Sequence, residues 1–120
     1  MATFTKLQLS GASAFNAPIG VSNSGGMGMA TTLHATGTSN TTLDEVWIWC
    51  ANDTATDATD IRVRFAGGNN YFKGTVPANT TVLLLGGIIL KGDGSSVATL
   101  EGWEGGSTTV SFFGYVNRIS

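Results

Sequence analysis

The sequence predicts an all-β protein, a single β-sandwich or jelly-roll-like domain of about eight short antiparallel strands. The chain has 120 residues, which is the usual size of one domain. Short runs rich in Val, Ile, Thr and aromatic residues alternate with turns rich in Gly, Asn and Asp, which is typical of such folds. No window of ten or more residues shows the apolar spacing of an amphipathic helix.

The N-terminal third begins with a strand-like run and continues into a long connection. Thr3–Leu9 alternates apolar and polar residues, and its position predicts an edge strand. Ser10–Gly26 is low in charge and punctuated by Gly, so we predict a long ordered loop or arm there. Met27–Ala35 alternates again and is predicted to form the next strand.

The predicted centre of the sheet is Val46–Phe65. Val46–Ala51 and Ile61–Phe65 are β-type runs, and the polar segment Asn52–Asp60 lies between them. We therefore predict a β-hairpin with a long loop. The first run is apolar on both faces, so this strand is expected to be covered on both faces.

The second half of the chain shows further strand signals, with turns between them. Gly86 and Gly87 interrupt one apolar run, which predicts a bulge, a corner or a close approach of backbones. No domain boundary is evident, so residues 1–120 are predicted to form one domain. The remaining predicted strands are Tyr71–Lys73, Thr81–Leu85, Ile88–Leu90, Val97–Trp103 and Thr108–Ile119.

The composition excludes several classes of function. Charged residues make up 12% of the chain, against about 25% in an average domain, so we expect much of the surface to be covered, or to be displayed where charge is unnecessary. No basic cluster is present, which argues against nucleic acid. The sequence shows no signal peptide and no apolar run long enough for a bilayer. We therefore expect synthesis in the cytoplasm and no membrane partner.

The sequence predicts no catalytic site. His34, the single histidine, has no carboxylate near it in the sequence, so a structural or solvent-facing role is expected. Cys50, the single cysteine, lies on an apolar strand and is expected to be a buried free thiol. Glu101 and Glu104 flank Trp103 like a glycosidase carboxylate pair beside a sugar-stacking aromatic. Two acids near a strand end are more often solvated.

No cofactor and no metal are predicted. Asp53, Asp57 and Asp60 could share a hard cation, but their spacing does not match a calcium loop. Whether this loop binds a cation is left open. Gly25–Gly28 has the composition of a phosphate loop, but no helix and no lysine follow it.

Aromatic residues suggest an interface instead. Trp47 and Trp49 share one face of the central predicted strand, and Phe113 and Tyr115 of the last strand raise the same question. Tyr and Trp are enriched in the cores of protein interfaces. These four residues are therefore the candidate site.

Four alternatives remain for what contacts the face that carries Trp47 and Trp49. The segment Ser10–Gly26 could fold over it, or a second protein chain could bind it. The tryptophans could also bind the faces of sugars. If the two central strands pair in the required register, Arg62 and Arg64 could lie across the rings as cation–π partners.

Three segments carry a resemblance to a known group: VWIWCANDTATDATDIRVRF, VPANTTVLLLGGIIL and the closing FFGYVNRIS. Over Val46–Ser120 the pattern resembles small β-sandwich virion structural proteins of tailed phages, especially those that infect cyanobacteria. The resemblance implies a non-enzymatic capsid decoration (cement) protein on the capsid surface. It would bind the major capsid protein as a homotrimer. The alternative is a carbohydrate- or receptor-binding domain of a tail, neck or fibre. The shared motifs are structural, so no functional residue is carried over.

Overall fold

The structure, a computed structural model, describes residues 2–15, 17–22, 30–54, 59–65, 71–104 and 109–120. In these ranges the chain forms strands and no helix, which confirms the all-β prediction. The strands are β1 (Phe4–Gln8), β2 (Ile19–Ser22), β3 (Thr31–Ala35), β4 (Leu43–Asn52), β5 (Thr59–Phe65), β6 (Tyr71–Val76), β7 (Thr80–Leu90), β8 (Thr99–Glu104) and β9 (Thr109–Ile119).

The strands form two antiparallel sheets. Sheet A has the order β1-β9-β4-β7, and β2 also pairs with β9. Sheet B has the order β3-β8-β5-β6. β1 and β2 lie end to end along the same edge of β9, because β1 pairs with residues 115–119 and β2 with residues 109–112.

The pairing of strands is nested. β5 pairs with β6, β4 with β7, β3 with β8 and β2 with β9. The chain from β2 to β9 is therefore one long hairpin that folds over into two four-stranded sheets. This is the topology of a jelly roll, and it confirms the predicted sandwich, with β1 as an added edge strand.

The predicted central hairpin is wrong. β4 pairs with β7 and β9 in sheet A, whereas β5 pairs with β6 and β8 in sheet B. Consecutive strands of a jelly roll often cross from one sheet to the other, so closeness in sequence did not mean pairing. Arg62 and Arg64 therefore do not lie across the tryptophans of β4. The guanidinium of Arg64 lies over the ring of Trp103 instead, 5.5 Å from its centroid.

The predicted long arm Ser10–Gly26 contains a strand. Ile19 and Val21 of β2 point into the core and are 5% and 2% exposed. Before β2, the chain turns towards sheet B, where the Gly11 N–H donates to the Leu33 carbonyl (3.1 Å). Residues 16 and 23–29 lie outside the described ranges, so the predicted strand Met27–Ala35 is seen only as β3 and the residue before it.

The core lies between the sheets and consists of alternate residues of each strand. Along β4 every second residue is buried and every other one is half-buried. Each fully buried aliphatic side chain contributes about 1.5–3 kcal/mol. Central members of the core are Leu33, Val46, Ile48, Cys50, Ile61, Val63, Leu100, Phe112 and Val116, and all of them are fully buried.

Gly114 is required where β9 passes β4. It pairs with Ile48 in the register, and a Cβ atom there would lie 2.0 Å from the Trp47 carbonyl oxygen and 3.2 Å from the Ile48 Cα. Backbone atoms cannot rotate away, so any side chain would force the two central strands apart.

We predict that Gly114→Ala lowers the free energy of unfolding by about 1–3 kcal/mol or more, as overpacking of a core does. Gly20→Ala is the matched control, because Gly20 lies in β2 on the other side of β9 and a Cβ atom there would meet nothing within 4 Å. The control is expected to change stability by less than about 0.5 kcal/mol. Urea denaturation measures both, and equal stability of the two variants would contradict the prediction.

Candidate functional site

The candidate residues meet on the side of sheet A that points away from sheet B. Residues paired directly across neighbouring strands project from the same face. The register pairs Tyr115 with Trp47 and Phe113 with Trp49. On the other side of β4, Leu83 pairs with Trp49. We call these five residues the aromatic face.

Three rings of the aromatic face pack against each other. The ring centroids of Trp47 and Trp49 are 6.4 Å apart, those of Trp47 and Tyr115 6.3 Å, and those of Trp49 and Tyr115 6.0 Å. The interplanar angles are between 12° and 31°. Each such pair contributes about 0.5–1.5 kcal/mol beyond its buried area, so the cluster is held in one arrangement.

A glycine pair in β7 makes room for Trp47. Ideal Cβ atoms at Gly86 and Gly87 would lie 3.2 Å and 3.5 Å from the Trp47 ring, so the indole rests against bare backbone. Gly87 has a φ of 81°, which glycine adopts without strain. The register of β7 against β4 shifts at this point. The predicted bulge and close approach are confirmed, and Thr80–Leu90 is one strand.

A polar row borders the aromatic cluster. Lys6, Asn117 and Glu45 stand in one cross-strand row over β1, β9 and β4. The Glu45 Oε1 accepts hydrogen bonds from Trp47 Nε1 (2.8 Å) and Asn117 Nδ2 (3.1 Å). These bonds hold the pKa of Glu45 below its usual value. The Lys6 Nζ lies 4.5 Å from the centroid of the Tyr115 ring.

Sheet B does not cover the aromatic face. Trp47, Trp49 and Tyr115 are half-buried by one another, but Phe113 and Leu83 are 39% and 48% exposed. The part of Ser10–Gly26 that the structure describes joins the edge of β9 or turns towards β3. Aromatic residues that remain half-buried or exposed on a sheet face, with polar residues beside them, are common in protein interfaces.

His34 lies in a buried polar network between the sheets. Its Nδ1 accepts a hydrogen bond from the Ser10 N–H (3.1 Å), and its Nε2 lies 2.7 Å from the Asp44 Oδ2. Since Nδ1 accepts, Nε2 carries the proton and donates it to Asp44. The Nδ1 lone pair is occupied by the Ser10 N–H, and Nε2 faces Asp44. The sequence pattern did not connect His34 with Asp44, which follows ten residues later as the second residue of β4.

Asp44 is the centre of this network. The Arg118 Nε and Nη2 donate to its two carboxylate oxygens over 2.7 Å and 2.9 Å. Burial opposes ionisation of Asp44, but the hydrogen bonds from Arg118 and His34 and the charge of Arg118 outweigh it. The pKa of Asp44 is therefore lower than its ordinary value of 3.8. The same hydrogen bond raises the pKa of Arg118.

The other predicted chemical groups do not converge. Glu101 pairs with Arg64 (Nε–Oε1 3.0 Å), whereas Glu104 stands opposite Ile61 and is fully buried, so the two carboxylates point to opposite faces of β8. Trp103 is 1% exposed and presents no face to a sugar.

Cys50 is the buried free thiol that the sequence predicts. Burial, together with the charge of Glu104, raises its pKa to about 12. The thiolate that a nucleophile requires is therefore scarce at neutral pH.

The acidic loop shows no cation site within the described ranges. Asp53 and Asp60 are both exposed, and Asp60 accepts a hydrogen bond from Thr75 Oγ1 (3.2 Å). Asp57 and Gly25–Gly28 lie outside those ranges. Among the residues that are described, no group of three His, Cys, Asp or Glu side chains could hold a metal ion. The same residues contain no helix long and apolar enough to cross a membrane.

Comparison with known proteins leaves the family open. No protein-family model and no curated protein match the chain. The chain is similar to a solved structure of infectious bursal disease virus, Gt strain, with a TM-score of 0.48 and 11% sequence identity. The likeness covers 98% of this chain but 33% of that one, so the chain spans about a third of its length. A likeness this distant assigns neither family nor function.

We predict that Asp44→Asn lowers stability by about 2–3 kcal/mol at pH 7, because the buried carboxylate no longer accepts hydrogen bonds from Arg118 and His34. Arg118 is 35% exposed, so solvent screens the charge that is left and keeps the loss below that of a fully buried pair. The pKa of Asp44 is depressed in the folded state, so its contribution is present above the unfolded pKa. That contribution is lost as the pH falls through the lower folded value. The difference between wild type and variant should therefore shrink below about pH 4.

Thermal unfolding between pH 2.5 and 8 measures this difference. Asp53→Asn is the control, since Asp53 is exposed, and its stability should follow the wild type. A difference between Asp44→Asn and wild type that stays constant with pH would rule out the ion pair as its source.

Proposed function

We propose that the protein is a non-enzymatic structural protein of a phage virion. In this proposal it is a capsid decoration (cement) protein that binds the major capsid protein on the assembled shell. The observation that carries the proposal is that two apolar surfaces lie outside the core. One is the aromatic face. The other, the end patch, consists of Phe65, Phe72, Ile89 and Val97. Ile89 pairs with Glu45 and so lies between the two surfaces.

The end patch lies where strands of both sheets end. Its four side chains are between 38% and 50% exposed. The rings of Phe65 and Phe72 meet edge to face, with centroids 5.9 Å apart. Phe65, Ile89 and Val97 line a groove of about 390 Å³ together with Leu90, Lys91, Ala98 and Thr99. Contiguous apolar surface of this kind marks an interaction site in a folded protein.

Two apolar surfaces on one small domain favour a protein with more than one neighbour. A component of a shell meets this condition, because it contacts the shell protein and other copies of itself. The low content of charged residues points the same way. The resemblance of Val46–Ser120 to phage virion proteins supports this function. Jelly rolls occur in viral capsid and lectin domains, which agrees with it at the level of fold analogy.

The mechanism is stabilisation by selective binding. A protein that binds sites present only on the assembled shell stabilises that shell by mass action, about 2.7 kcal/mol per site at 100 times the dissociation constant. Burial of the end patch against the shell supplies the affinity. No chemical step is required.

We predict that the purified protein sediments with assembled capsids and not with unassembled capsid protein. Val97→Glu should weaken this binding about 5- to 30-fold, because it places a charge in the apolar contact. The control is Ala14→Glu, which adds the same charge at an exposed position outside both surfaces. Failure of the wild-type protein to sediment with capsids would refute the proposal.

The second candidate is a carbohydrate- or receptor-binding domain of a phage tail, neck or fibre. The half-buried, nearly parallel rings of Trp47, Trp49 and Tyr115 favour it, since aromatic faces stack on sugars. Trp103 cannot take part because it is buried. Titration of tryptophan fluorescence with host polysaccharide distinguishes the candidates. Saturable quenching without capsid binding would select the carbohydrate-binding function.

A further inference from the structure

We infer that the aromatic face of sheet A is a contact between two copies of this chain, related by a two-fold axis that runs along β9. The inference rests on the charges, the shape and the size of this face. It does not depend on the virion assignment, which concerns the partner of the end patch.

The charges of the face are self-complementary. Among the described strand residues that project from it, the charged ones are Lys6 of β1 and Glu45 of β4. Both stand in the row of Asn117, which lies between them on β9. Two strand spacings separate them, roughly 10 Å. A surface with one positive and one negative group on either side of a central strand matches a rotated copy of itself.

A two-fold axis along β9 uses this arrangement. Rotation about an axis parallel to the strands exchanges the β1 side with the β4 side and keeps each row at its height. Lys6 of each copy then faces Glu45 of the other, so two opposite-charge contacts form. Tyr115 and Phe113 lie on the axis and meet their own counterparts. Such an isologous contact buries the same patch on both copies.

The shape of the face also fits this axis. β1 ends at Gln8, and β2 begins opposite Phe112, so no strand of the described chain flanks Phe113 and Gly114 on that side. Across the axis, the same height carries Trp49. The two-fold operation therefore places the indole of Trp49 over the gap between β1 and β2 of the second copy.

The area is sufficient for a reversible pair. Three columns of strands overlap across an axis along β9: β9 itself, β4 on one side, and β1 with β2 on the other. Their spacing of about 4.8 Å and five rows of about 6.8 Å give roughly 500 Å² per copy. A specific interface needs about 1,000 Å² in total, and a standard one buries about 1,600 Å². The face reaches the lower limit of this range, so we expect association at micromolar concentrations rather than a permanent complex.

A pair differs from the homotrimer that the phage resemblance implies. A trimer joins two different patches head to tail, whereas a self-complementary face closes after two copies. The two arrangements have different masses, which makes them separable in solution.

The first experiment measures the mass of the full chain by sedimentation velocity from about 1 μM to 1 mM, a range that brackets micromolar affinity. We expect a monomer–dimer equilibrium. Phe113→Glu should shift it at least tenfold towards monomer, because Phe113 lies on the axis and two glutamates would then meet. Phe113 is 39% exposed, so the fold of this variant should persist, as circular dichroism will show. Val97→Glu, a matched substitution in the end patch, should leave the equilibrium unchanged.

The second experiment exchanges the charges. Lys6→Glu and Glu45→Lys should each weaken the dimer about tenfold, because each places like charges opposite one another at both contacts. An equimolar mixture of the two variants should associate as well as the wild type, since both contacts are then attractive. A folding defect in either variant cannot produce this rescue.

Several outcomes would overturn the inference. They are a wild-type protein that stays monomeric to about 1 mM, a trimer, an unchanged equilibrium in Phe113→Glu, or a mixture that fails to associate. A monomer that still sediments with capsids would overturn this inference alone. A dimer that does not sediment with capsids would overturn the virion proposal alone.

Discussion

Strand β4 is the constraint on which the rest of the structure depends. It pairs with β7 on one side and β9 on the other over its whole length, and its buried side chains alternate with half-buried ones. Polar side chains at both ends of its buried side form hydrogen bonds to sheet B. Asp44 reaches His34 of β3, and the Asn52 Nδ2 donates to the Val76 carbonyl of β6 (3.0 Å). A shift of the β4 register by one residue would expose the core residues and break both hydrogen bonds.

The hydrogen bonds of Asn52 and Asp44 differ in charge. Asn52 makes a neutral hydrogen bond to backbone, whereas Asp44 holds a charge that Arg118 of β9 neutralises. A buried carboxylate without such a partner is strongly destabilising. The network therefore specifies which strands meet at this end of the sandwich. It also explains why the one histidine of the chain is buried.

Much of the fold follows from the sequence, and the pairing of strands does not. Alternation located most strands, and the two-faced apolar run correctly marked β4 as central. The β4–β5 hairpin failed because Val46–Ala51 and Ile61–Phe65 look like neighbours in any antiparallel fold. What separates them is the nested pairing of β4 with β7, which local patterns do not encode. β2 was missed because Ile19 and Val21 form a short buried pair with Gly20 between them and Pro18 before them.

The candidate site was predictable in part for the same reason. Periodicity placed Trp47 and Trp49 on one face, and Phe113 and Tyr115 on alternate positions of the last strand. That these four meet depends on the register of β4 against β9. Leu83 and the glycine pair against which Trp47 packs belong to β7, and shifts in the register of β7 against β4 set their position. The His34–Asp44 contact joins different sheets and had no local signal.

The register shifts of β7 have a consequence for how large an assembly of this protein can become. β7 is an edge strand of eleven residues without a charged side chain, and a flat edge of this kind recruits further strands without limit. Its bulges at the Gly86–Gly87 pair and near Leu84 break the even spacing of free N–H and C=O groups that a fibril needs. Growth along the sheet is thereby discouraged, and the apolar surface remains available for finite, countable complexes.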